Sequence, residues 1–352
     1  MMATGKLETE ELERLVFPYC GQQRPETVIG PAVGEDSCAL DLGGDLVVLT
    51  TDPITGAQTN GGWLAIQVSC NDLAASGADP VAILLTILLK EGSSAADAQM
   101  IMQSAQQAAQ ELGVQIVGGH TEVTGGLTEH IVSVTAVGKA TRQQLVSTAG
   151  VRDKDQLVLT KGAGIEGTAI FCLDYPEAIA QRIGQDMAEQ GKKFSSLISV
   201  VPDARIARGV GVHSMHDVTE GGVLGGAYEM ARGAGLGLTI QQDKILVAPA
   251  TQAICDALQL DPLKLISSGS LLIATPVGDQ VVEALQQEGI QAAVIGQFHQ
   301  ENRMELVSGR RTFRIAPPEG DELWVGKARL ASTSTSDEAN DCRQTSAAKD
   351  RE

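Results

Sequence analysis

Residues Gly62–Leu89 read GWLAIQVSCNDLAASGADPVAILLTILL, and this stretch decides the fold. Its first part, Gly62 to Gly77, is rich in small and apolar residues and predicts a helix, which Gly77 and the nearby Pro80 end. Its second part, VAILLTILL, predicts a buried strand because of its apolar and β-branched content and its flanks. This apolar run has about half of the ~18 residues that a membrane span needs, so we expect no membrane segment.

Helices and strands mix on both sides of this stretch without a strict alternation. Before it, SCALDL and LVVLTTD flank Gly43-Gly44 and predict a hairpin. After it, Ser93 to Leu112 predicts a helix between a serine cap and Gly113. VQIVGG then predicts a short strand that enters a loop at Gly118-Gly119, and Glu129 to Gly138 predicts another strand. This order favours an α+β fold over a doubly wound parallel sheet.

The chain length predicts about two domains, since it has 352 residues. A polar segment from Thr141 to Asp155, which includes Gly150, separates the two halves. We therefore expect an N-terminal domain over 1–150 and a C-terminal domain over 151–330. Residues 331–352 are small and polar and predict a disordered tail.

Composition and charge exclude several classes of protein. Acidic side chains outnumber basic ones by 44 to 26, giving a net charge of −18, and aromatic residues make up only 3%. A nonspecific nucleic-acid binder needs a basic surface or stacking aromatics, so no nucleic acid is expected. The six cysteines contain no Cys-x-x-Cys pair and the N-terminus does not read as a signal peptide. We therefore expect a cytoplasmic protein with no membrane partner.

One glycine motif is misleading. Gly162-x-Gly164-x-x-Gly167 follows a predicted strand, as in a dinucleotide fingerprint. However, the strand with an acidic tip that completes such a unit is missing, and a long helical segment follows instead. The motif is therefore interpreted as a glycine turn at a domain entry or as an anion-contacting loop with Lys161.

The acidic residues of the first half are more informative. They stand beside small residues at strand ends and helix starts, in VGEDS, TTDP, SCNDLA and GGHTEV. Each of them alone can be a cap or a turn residue. If they converge on one cleft they repel each other unless a cation is present, and Mg²⁺ would turn them into a clamp for a polyphosphate.

The order of these motifs is what identifies a family. GPAVGEDSCAL, LTTDPI, VSCNDLAASGADP, VGGHTEV and VSVTAVG, followed by HDVTEGGVLGG and SSGSLLIA, resemble the aminoimidazole ribonucleotide (AIR) synthase, or PurM-like, superfamily. Thiamine-monophosphate kinase, selenophosphate synthetase and the hydrogenase maturation protein HypE belong to that superfamily. The resemblance covers about Ile29 to Val325.

The resemblance implies two α+β domains, with the N-terminal domains paired in a homodimer through a β-barrel-like interface. It implies that ATP lies in a cleft near that interface, bound through Mg²⁺, and that an oxygen of a small-molecule phosphoryl acceptor is activated. The implied metal ligands are Asp36, Asp52, Asp72 and Glu122. The implied catalytic residues are Asp72, Glu122 and Asp217. The implied nucleotide- and cleft-facing residues are Gly34, Asn71, Gly118, Gly119, His120, Thr121, Thr219, Gly221 and Gly222.

The residues themselves agree with phosphoryl transfer. Such a reaction needs charge neutralisation and alignment, which metal-binding acids and glycine loops provide. No G-x-x-x-x-G-K-[ST] motif occurs, so the sequence offers no P-loop for binding phosphate. The segment HDVTEGG leads into a predicted helix, whose start can hold an anionic substrate. The same segment can also be a simple N-cap with a tight turn.

The branch of the superfamily is less determined. SSGSLLIA looks more like HypE or AIR synthase than like the kinase, but the chain ends AAKDRE, without the Pro-Arg-Ile/Val-Cys tail of HypE. We expect a HypE-like, ATP-dependent phosphoryl transferase or ligase/dehydratase-type activating enzyme that lacks the cysteine tail. Thiamine-monophosphate kinase is the alternative enzyme. The alternative to an enzyme is a non-catalytic, nucleotide-binding scaffold with a maturation-complex protein partner.

Overall fold

The structure is a computed structural model that describes residues 6–7, 9–55, 57 and 59–332. Almost all of the predicted disordered tail lies outside the described residues, and only its first two residues, 331–332, are described, as part of a helical segment over 322–332. Within the described residues no helix combines the length and the apolar character that crossing a membrane requires.

The described helices and strands follow one another in a mixed order. The helices are α1 (Thr9–Leu15), α2 (Gly61–Ala75), α3 (Ala95–Leu112), α4 (Ile165–Asp174), α5 (Pro176–Ile183), α6 (Gln185–Lys192), α7 (Val201–Val210), α8 (Gly222–Ala234), α9 (Pro249–Leu258) and α10 (Gly278–Gln287). The strands are β1 (Thr27–Ile29), β2 (Cys38–Leu40), β3 (Leu46–Ile54), β4 (Asp79–Lys90), β5 (Gln115–Thr124), β6 (Ile131–Ala140), β7 (Gln156–Thr160), β8 (Ser214–Asp217), β9 (Gly237–Gln241), β10 (Leu271–Thr275), β11 (Ala292–His299), β12 (Met304–Ser308) and β13 (Arg311–Arg314).

The first sheet has the strand order β1-β2-β3-β6-β4-β5. The predicted hairpin is confirmed, since β2 pairs antiparallel with β3. The predicted helices α2 and α3 are also confirmed, and α3 starts at a Ser94 capping box and ends at Gly113 in a left-handed conformation. Strand β4 pairs parallel with β5, with α3 as the crossover between them. The described strands leave this sheet open rather than closed into a barrel.

Strand β4 is buried on one face only. Ile83, Leu85 and Ile87 pack under α2 and α3 in the core, whereas Leu84 is 43% exposed on the other face. The prediction of a strand here is confirmed, but the prediction that it is buried is wrong for that face. A continuous apolar run hides the alternation that normally distinguishes a one-sided strand.

The predicted loop at Gly118-Gly119 is wrong, because β5 continues through both glycines to Thr124. The strand shifts register against β4 just before Gly118 and then pairs Gly119 with Leu85. Gly119 has φ +146°, and a Cβ built there would lie 1.8 Å from the carbonyl oxygen of Leu85. The glycine is therefore needed for close strand approach, which a sequence pattern reads as a loop.

The second sheet has the strand order β13-β12-β9-β11-β7-β10-β8 and is also open. Its pairs are antiparallel except β9 with β12. The long helical segment predicted after the Gly162–Gly167 motif is in fact three short helices, α4 to α6, followed by a 3-10 turn over Lys193–Leu197. The strands β12 and β13 were not predicted, since neither carries a strong apolar pattern.

Helix α2 joins the two halves of the molecule. Every residue from Leu64 to Ala75 is buried, and the core around the helix includes Met215 and Leu271 of the second sheet as well as strands of the first. Asn71 fixes this contact, because its amide nitrogen donates to the carbonyl of Ile198 (2.8 Å) and its amide oxygen accepts from Val200 (2.8 Å). A helix that is buried on all sides carries polar residues only where they are paired or functional.

We predict that Gly119→Ala destabilises the protein by about 2–4 kcal/mol, because the new Cβ forces the backbones of β4 and β5 apart. The neighbouring Gly118→Ala is the matched control. A Cβ there would lie 3.3 Å from the flexible Leu84 side chain, with no unfavourable φ, so a change within about 1 kcal/mol is expected. Urea unfolding followed by circular dichroism measures both, and equal effects would contradict the role of Gly119.

Candidate functional site

A cleft with a volume of about 1010 Å³ lies between the two halves. The first half contributes Lys6 and α1, the loop before β2, the end of β3 and two side chains of α2, and the second half contributes Thr219 and residues around α4 and α8. Carboxylates dominate its polar wall. Those that line it are Glu35, Asp36, Asp52, Asp72, Glu166, Glu220 and Glu229. The predicted convergence of acids on one cleft is therefore observed for three of the four predicted metal ligands.

Asp72 reaches the cleft from the buried face of α2, beside the end of β3. Thr50 of β3 donates a hydrogen bond to Asp72 Oδ2 at 2.5 Å and lies 3.4 Å from Asp52 Oδ2, so one hydroxyl lies between two carboxylates. Burial, followed by repulsion from Asp52 and from Asp217, holds the pKa of Asp72 well above its usual value.

Asp217, at the end of β8, is the least satisfied acid. It is 1% exposed, and neither of its carboxylate oxygens has a hydrogen-bond partner. Burial raises its pKa well above the usual value, and the charges of Asp36 and Asp52 raise it further, against the opposing effect of His216. Buried carboxylates without donors are costly, so this position requires a proton or a cation.

His216 is the buried centre of a charge chain that joins Asp36 and Glu229 of the cleft wall. Its Nδ1 lies 2.8 Å from Asp36 Oδ2 and its Nε2 lies 3.1 Å from Glu229 Oε2. Burial alone would lower the pKa of His216, but the two carboxylates outweigh burial and hold the pKa well above 6.5. The imidazolium therefore donates to both carboxylates. Lys6 donates to the other oxygen of Glu229 at 3.1 Å, and its backbone N–H donates to Glu220 at 2.8 Å.

This chain neutralises part of the cleft. Burial opposes ionisation of Glu229, but Lys6 and His216 lower its pKa to about 2. Lys6 and Glu229 were missed in the sequence because each looks like an ordinary surface residue near a helix. Two cations thus balance Asp36 and Glu229, and the carboxylates of Asp52, Asp72 and Asp217 are left in excess.

The loop before α8 is anchored by Asp321, near the end of the described residues. Gly221 and Gly222 have φ values of +88° and +62°, and Thr219 lines the cleft beside them. The N–H of Gly221 donates to Asp321 at 2.7 Å, so this amide is already used. Asp321 also accepts from Ile266 and Leu323, and it therefore anchors the loop. Gly34 turns tightly against Glu229, where an added Cβ would lie 3.2 Å away.

The predicted residues of β5 lie elsewhere. His120 and Glu122 pair with Thr86 and Leu88 on the exposed face of the first sheet, and they bond to each other at 3.1 Å. Gly118, Gly119 and Thr121 belong to the same strand, and none of these five residues lines the cleft. Asn71 is likewise absent from the cleft wall, since both ends of its amide join the two halves.

The Gly162–Gly167 segment connects β7 to α4, but β7 lies in an antiparallel neighbourhood that no dinucleotide fold has. Lys161 faces inward. Its Nζ donates to Asp203 (3.0 Å), to the Ser199 carbonyl (2.7 Å) and to the Gly269 carbonyl (2.8 Å). The three donors of this ammonium are thus used inside the protein, so the interpretation as a structural turn is supported over an anion-contacting loop.

Glu166, in the first turn of α4, was also missed. It is 4% exposed, lines the cleft, and its Oε2 has no hydrogen-bond partner. Burial raises its pKa to about 7, with Ser268 opposing the shift and Asp321 and Glu220 adding to it. The sequence signal was only an acid in a helix first turn, which usually indicates nothing more than a favourable helix dipole.

The acids do not form a ready metal centre by themselves. Among the described residues no three His, Cys, Asp or Glu side chains are placed to hold one ion. Asp36, Asp52 and Asp72 nevertheless line the cleft with carboxylate oxygens, which suit Mg²⁺, whereas the predicted catalytic residue Asp217 does not line it and both of its carboxylate oxygens are buried. This ion commonly takes one or two carboxylates and completes its sphere with phosphate oxygens and water. The residues present therefore fit a magnesium ion that arrives with a polyphosphate.

Comparisons with known proteins agree with the motif order. Residues 34–140 match the family described as AIR synthase related protein, N-terminal domain, and residues 152–309 match the corresponding C-terminal domain. A Methanocaldococcus jannaschii protein named for hydrogenase expression and formation is 29% identical over 91% of this chain and 96% of its own length. Carbamoyl dehydratase HypE of Bradyrhizobium diazoefficiens is 30% identical over 76% of this chain and 78% of its own length.

Solved structures share the fold. A HypE–HypF complex matches with a TM-score of 0.68 and 20% identity over 80% of this chain and 93% of the solved chain. HypE in complex with ATP matches with a TM-score of 0.68 and 20% identity over 90% of this chain and 96% of the solved chain. Thiamine monophosphate kinase of Aquifex aeolicus matches with a TM-score of 0.62 and 18% identity over 78% of this chain and 92% of the solved chain. At these identities the likeness concerns the two-domain α+β fold.

We predict that Glu166→Gln stabilises the protein more at pH 8 than at pH 5. Because the folded-state pKa of Glu166 is about 7 against an ordinary 4.5, the folded protein binds the proton more tightly. Stability therefore falls as the pH rises from about 4.5 to about 7, by roughly 3 kcal/mol in total. A permanently neutral amide escapes this loss.

Thermal unfolding of both proteins at several pH values measures the effect. The exposed Glu177→Gln on α5 is the matched control and should show no such trend. A stability gain that is the same at pH 5 and pH 8 would contradict the raised pKa of Glu166.

Proposed function

Because the chain belongs to the AIR synthase-related protein family, we propose that its acidic cleft binds ATP with Mg²⁺ and activates an oxygen of a small substrate by phosphorylation. The observation that carries this proposal is the excess of buried, mutually repelling carboxylates around Asp72 and Asp217. Such an arrangement is unfavourable in a resting protein, and it becomes favourable when a divalent cation and a polyphosphate enter.

Asp36, Asp52 and Asp72, which line the cleft, are the residues that we propose to hold Mg²⁺, with the buried Asp217 behind them. Bound Mg²⁺ supplies charge neutralisation to the phosphates. Asp36 is fixed by His216, so its carboxylate is oriented before any ligand arrives. Thr50 orients Asp72 in the same way. This preorganisation supports alignment of the phosphate chain, which is the main requirement of phosphoryl transfer.

Relatives support ATP and the type of chemistry. HypE has been solved with ATP, and several relatives are named carbamoyl dehydratase HypE. For this chain we propose the general reaction only: the acceptor oxygen forms a bond to the terminal phosphorus of ATP, ADP leaves, and the proton of the acceptor passes to a base in the cleft. Glu166 is a suitable base, since it lines the cleft with a free oxygen and a pKa of about 7.

We also propose that the working unit is a homodimer formed through the exposed face and edge of the first sheet. Large apolar side chains are exposed there, with Val81 at 46%, Leu84 at 43%, Val117 at 54% and Val123 at 58%. A patch of this kind on an edge strand is normally covered. In such a dimer Glu122 and its neighbours on β5 are the residues available to complete the site of the partner copy.

A second candidate is a non-catalytic scaffold of a maturation complex. The solved HypE–HypF complex favours it, because it supports a protein partner of this kind. Phosphate release separates the two functions. A scaffold gives ATP-dependent thermal shifts without turnover for any acceptor, whereas an enzyme releases phosphate or ADP with at least one.

We predict that Asp72→Asn weakens binding of ATP in the presence of Mg²⁺ by roughly tenfold or more, since a charged ligand is lost. The same change should raise the unfolding temperature of the ligand-free protein, because it removes buried repulsion. The exposed Asp45→Asn, just before β3, is the control and should change neither quantity. Isothermal titration and thermal unfolding measure both.

Unchanged ATP binding after Asp72→Asn would refute the nucleotide site. Absence of ATP binding by the unaltered protein would refute the function as a whole.

We predict that Leu84→Glu converts the dimer into a monomer, because it places a charge on the proposed apolar interface. Leu42→Glu is the control. Leu42 is 65% exposed in the β2–β3 loop, away from this face, and its replacement should leave the dimer intact. Sedimentation velocity measures the oligomeric state. A monomeric unaltered protein, or a dimer that survives Leu84→Glu, would contradict the interface.

A further inference from the structure

One carboxylate of the first half lines the acidic cleft but has no part in the proposed function. Glu35 stands directly before Asp36 in the loop over residues 34–37, the acid loop, and both side chains line the cleft. Two adjacent acids can both bind an ion, or one can bind the ion while the other fixes the loop. The partners of the two carboxylates distinguish these roles.

The Glu35 side chain contacts the segment that joins the two domains. This connector, residues 141–151, lies between the two ranges that match the family. The Ser147 hydroxyl donates to Glu35 Oε1. The backbone N–H groups of Thr148 and Ala149 lie 3.4 Å from Oε2 and Oε1, respectively. Both oxygens of this carboxylate are therefore engaged by the connector, and an ion would have to compete with these donors.

The next two residues of the acid loop contact other elements. Asp36 Oδ2 lies 2.8 Å from Nδ1 of His216 on β8. The hydroxyl of Ser37 lies 2.6 Å from that of Ser76, the residue that caps the end of α2. Three consecutive side chains thus join the loop to the connector, to the second half and to α2. A metal ligand is held in one orientation only when its supporting contacts are fixed in this way.

The connector and β8 are also joined to each other, which closes a ring of contacts. Ser214 of β8 donates to the carbonyl of Thr148 (2.9 Å), and it stands two residues before His216 on the same strand. The contacts pass from Asp36 through His216, β8 and the connector, and they return to the acid loop through Glu35. Without the Glu35 carboxylate this ring is open, and of these contacts only the one from His216 still orients Asp36.

We propose that Glu35 is a positioning residue that clamps the acid loop to the connector and so fixes the direction in which Asp36 presents its carboxylate to Mg²⁺. This inference rests on the proposed function, in which Asp36 is one of the ligands of the ion. Side chains that orient a metal ligand contribute strongly to the affinity without touching the ion. Ser147 acts through the same contact, although it does not line the cleft.

Isothermal titration with ATP and Mg²⁺ tests this role. Glu35→Ala should weaken binding by about tenfold, and Ser147→Ala should weaken it by a smaller factor, because the two backbone N–H groups remain. The double variant should bind no more weakly than Glu35→Ala alone, since both changes remove one contact. Glu35→Gln removes the charge but keeps an acceptor for Ser147, so it should retain most of the affinity. Gln143→Ala, at an exposed position of the connector, is the matched control and should bind normally.

Hydrogen exchange of the ligand-free protein, followed by mass spectrometry, tests the clamp without any nucleotide. Glu35→Ala should increase exchange in the connector and in the acid loop, whereas Glu35→Gln should not. If exchange responds in this way but the unaltered protein binds no ATP, the proposed function fails and the clamp stands. Unchanged exchange after Glu35→Ala, an equal loss of affinity in Glu35→Gln and Glu35→Ala, or full affinity in Ser147→Ala would overturn the proposal.

Discussion

The burial of like charges around one end of α2 is the constraint on which the rest of the structure depends. Asp72 and Asp217 are each nearly inaccessible and each repelled by neighbouring acids. A protein tolerates such an arrangement only if protons or cations compensate for it. The chain compensates partly with its own cations, since His216 and Lys6 balance Asp36 and Glu229. The proposed binding of a divalent ion and a polyphosphate rests on the remaining excess of negative charge.

The architecture serves this constraint because α2 is shared. The helix packs under the first sheet and also contacts the core of the second half, so Asp72 and Asp217 come together although they are far apart in the chain. Asn71 stabilises this junction with buried hydrogen bonds to Ile198 and Val200, and Lys161 holds the same segment from within the second half through the carbonyl of Ser199. Displacing α2 would therefore disturb the acid geometry and the contact between the halves together.

Sequence reasoning worked where the signal is local. The hairpin of β2 and β3, the helices α2 and α3, and the acids Asp36, Asp52 and Asp72 all stand beside clear turn, cap or motif residues. Sequence reasoning failed where contacts between residues far apart in the chain determine the local structure or the role of a side chain. The Gly118-Gly119 pair predicted a loop, but glycine is needed only at Gly119, where the reason is the backbone of Leu85 in the neighbouring strand. The sequence left open whether the glycine segment beside Lys161 is a structural turn or an anion-contacting loop, because the buried partner Asp203 is remote in sequence.

The sequence by itself determined the α+β class, the series of acidic motifs and the family, because these depend on residue order and short-range pattern. Only the tertiary structure decided which polar residues meet. It separated Glu122 and His120, on the exposed sheet face, from the acids of the cleft, and it brought Lys6, Glu166 and Glu229 into that cleft. The physical reason is that charge pairing and burial act between residues close in space, and spacing along the chain does not record that proximity.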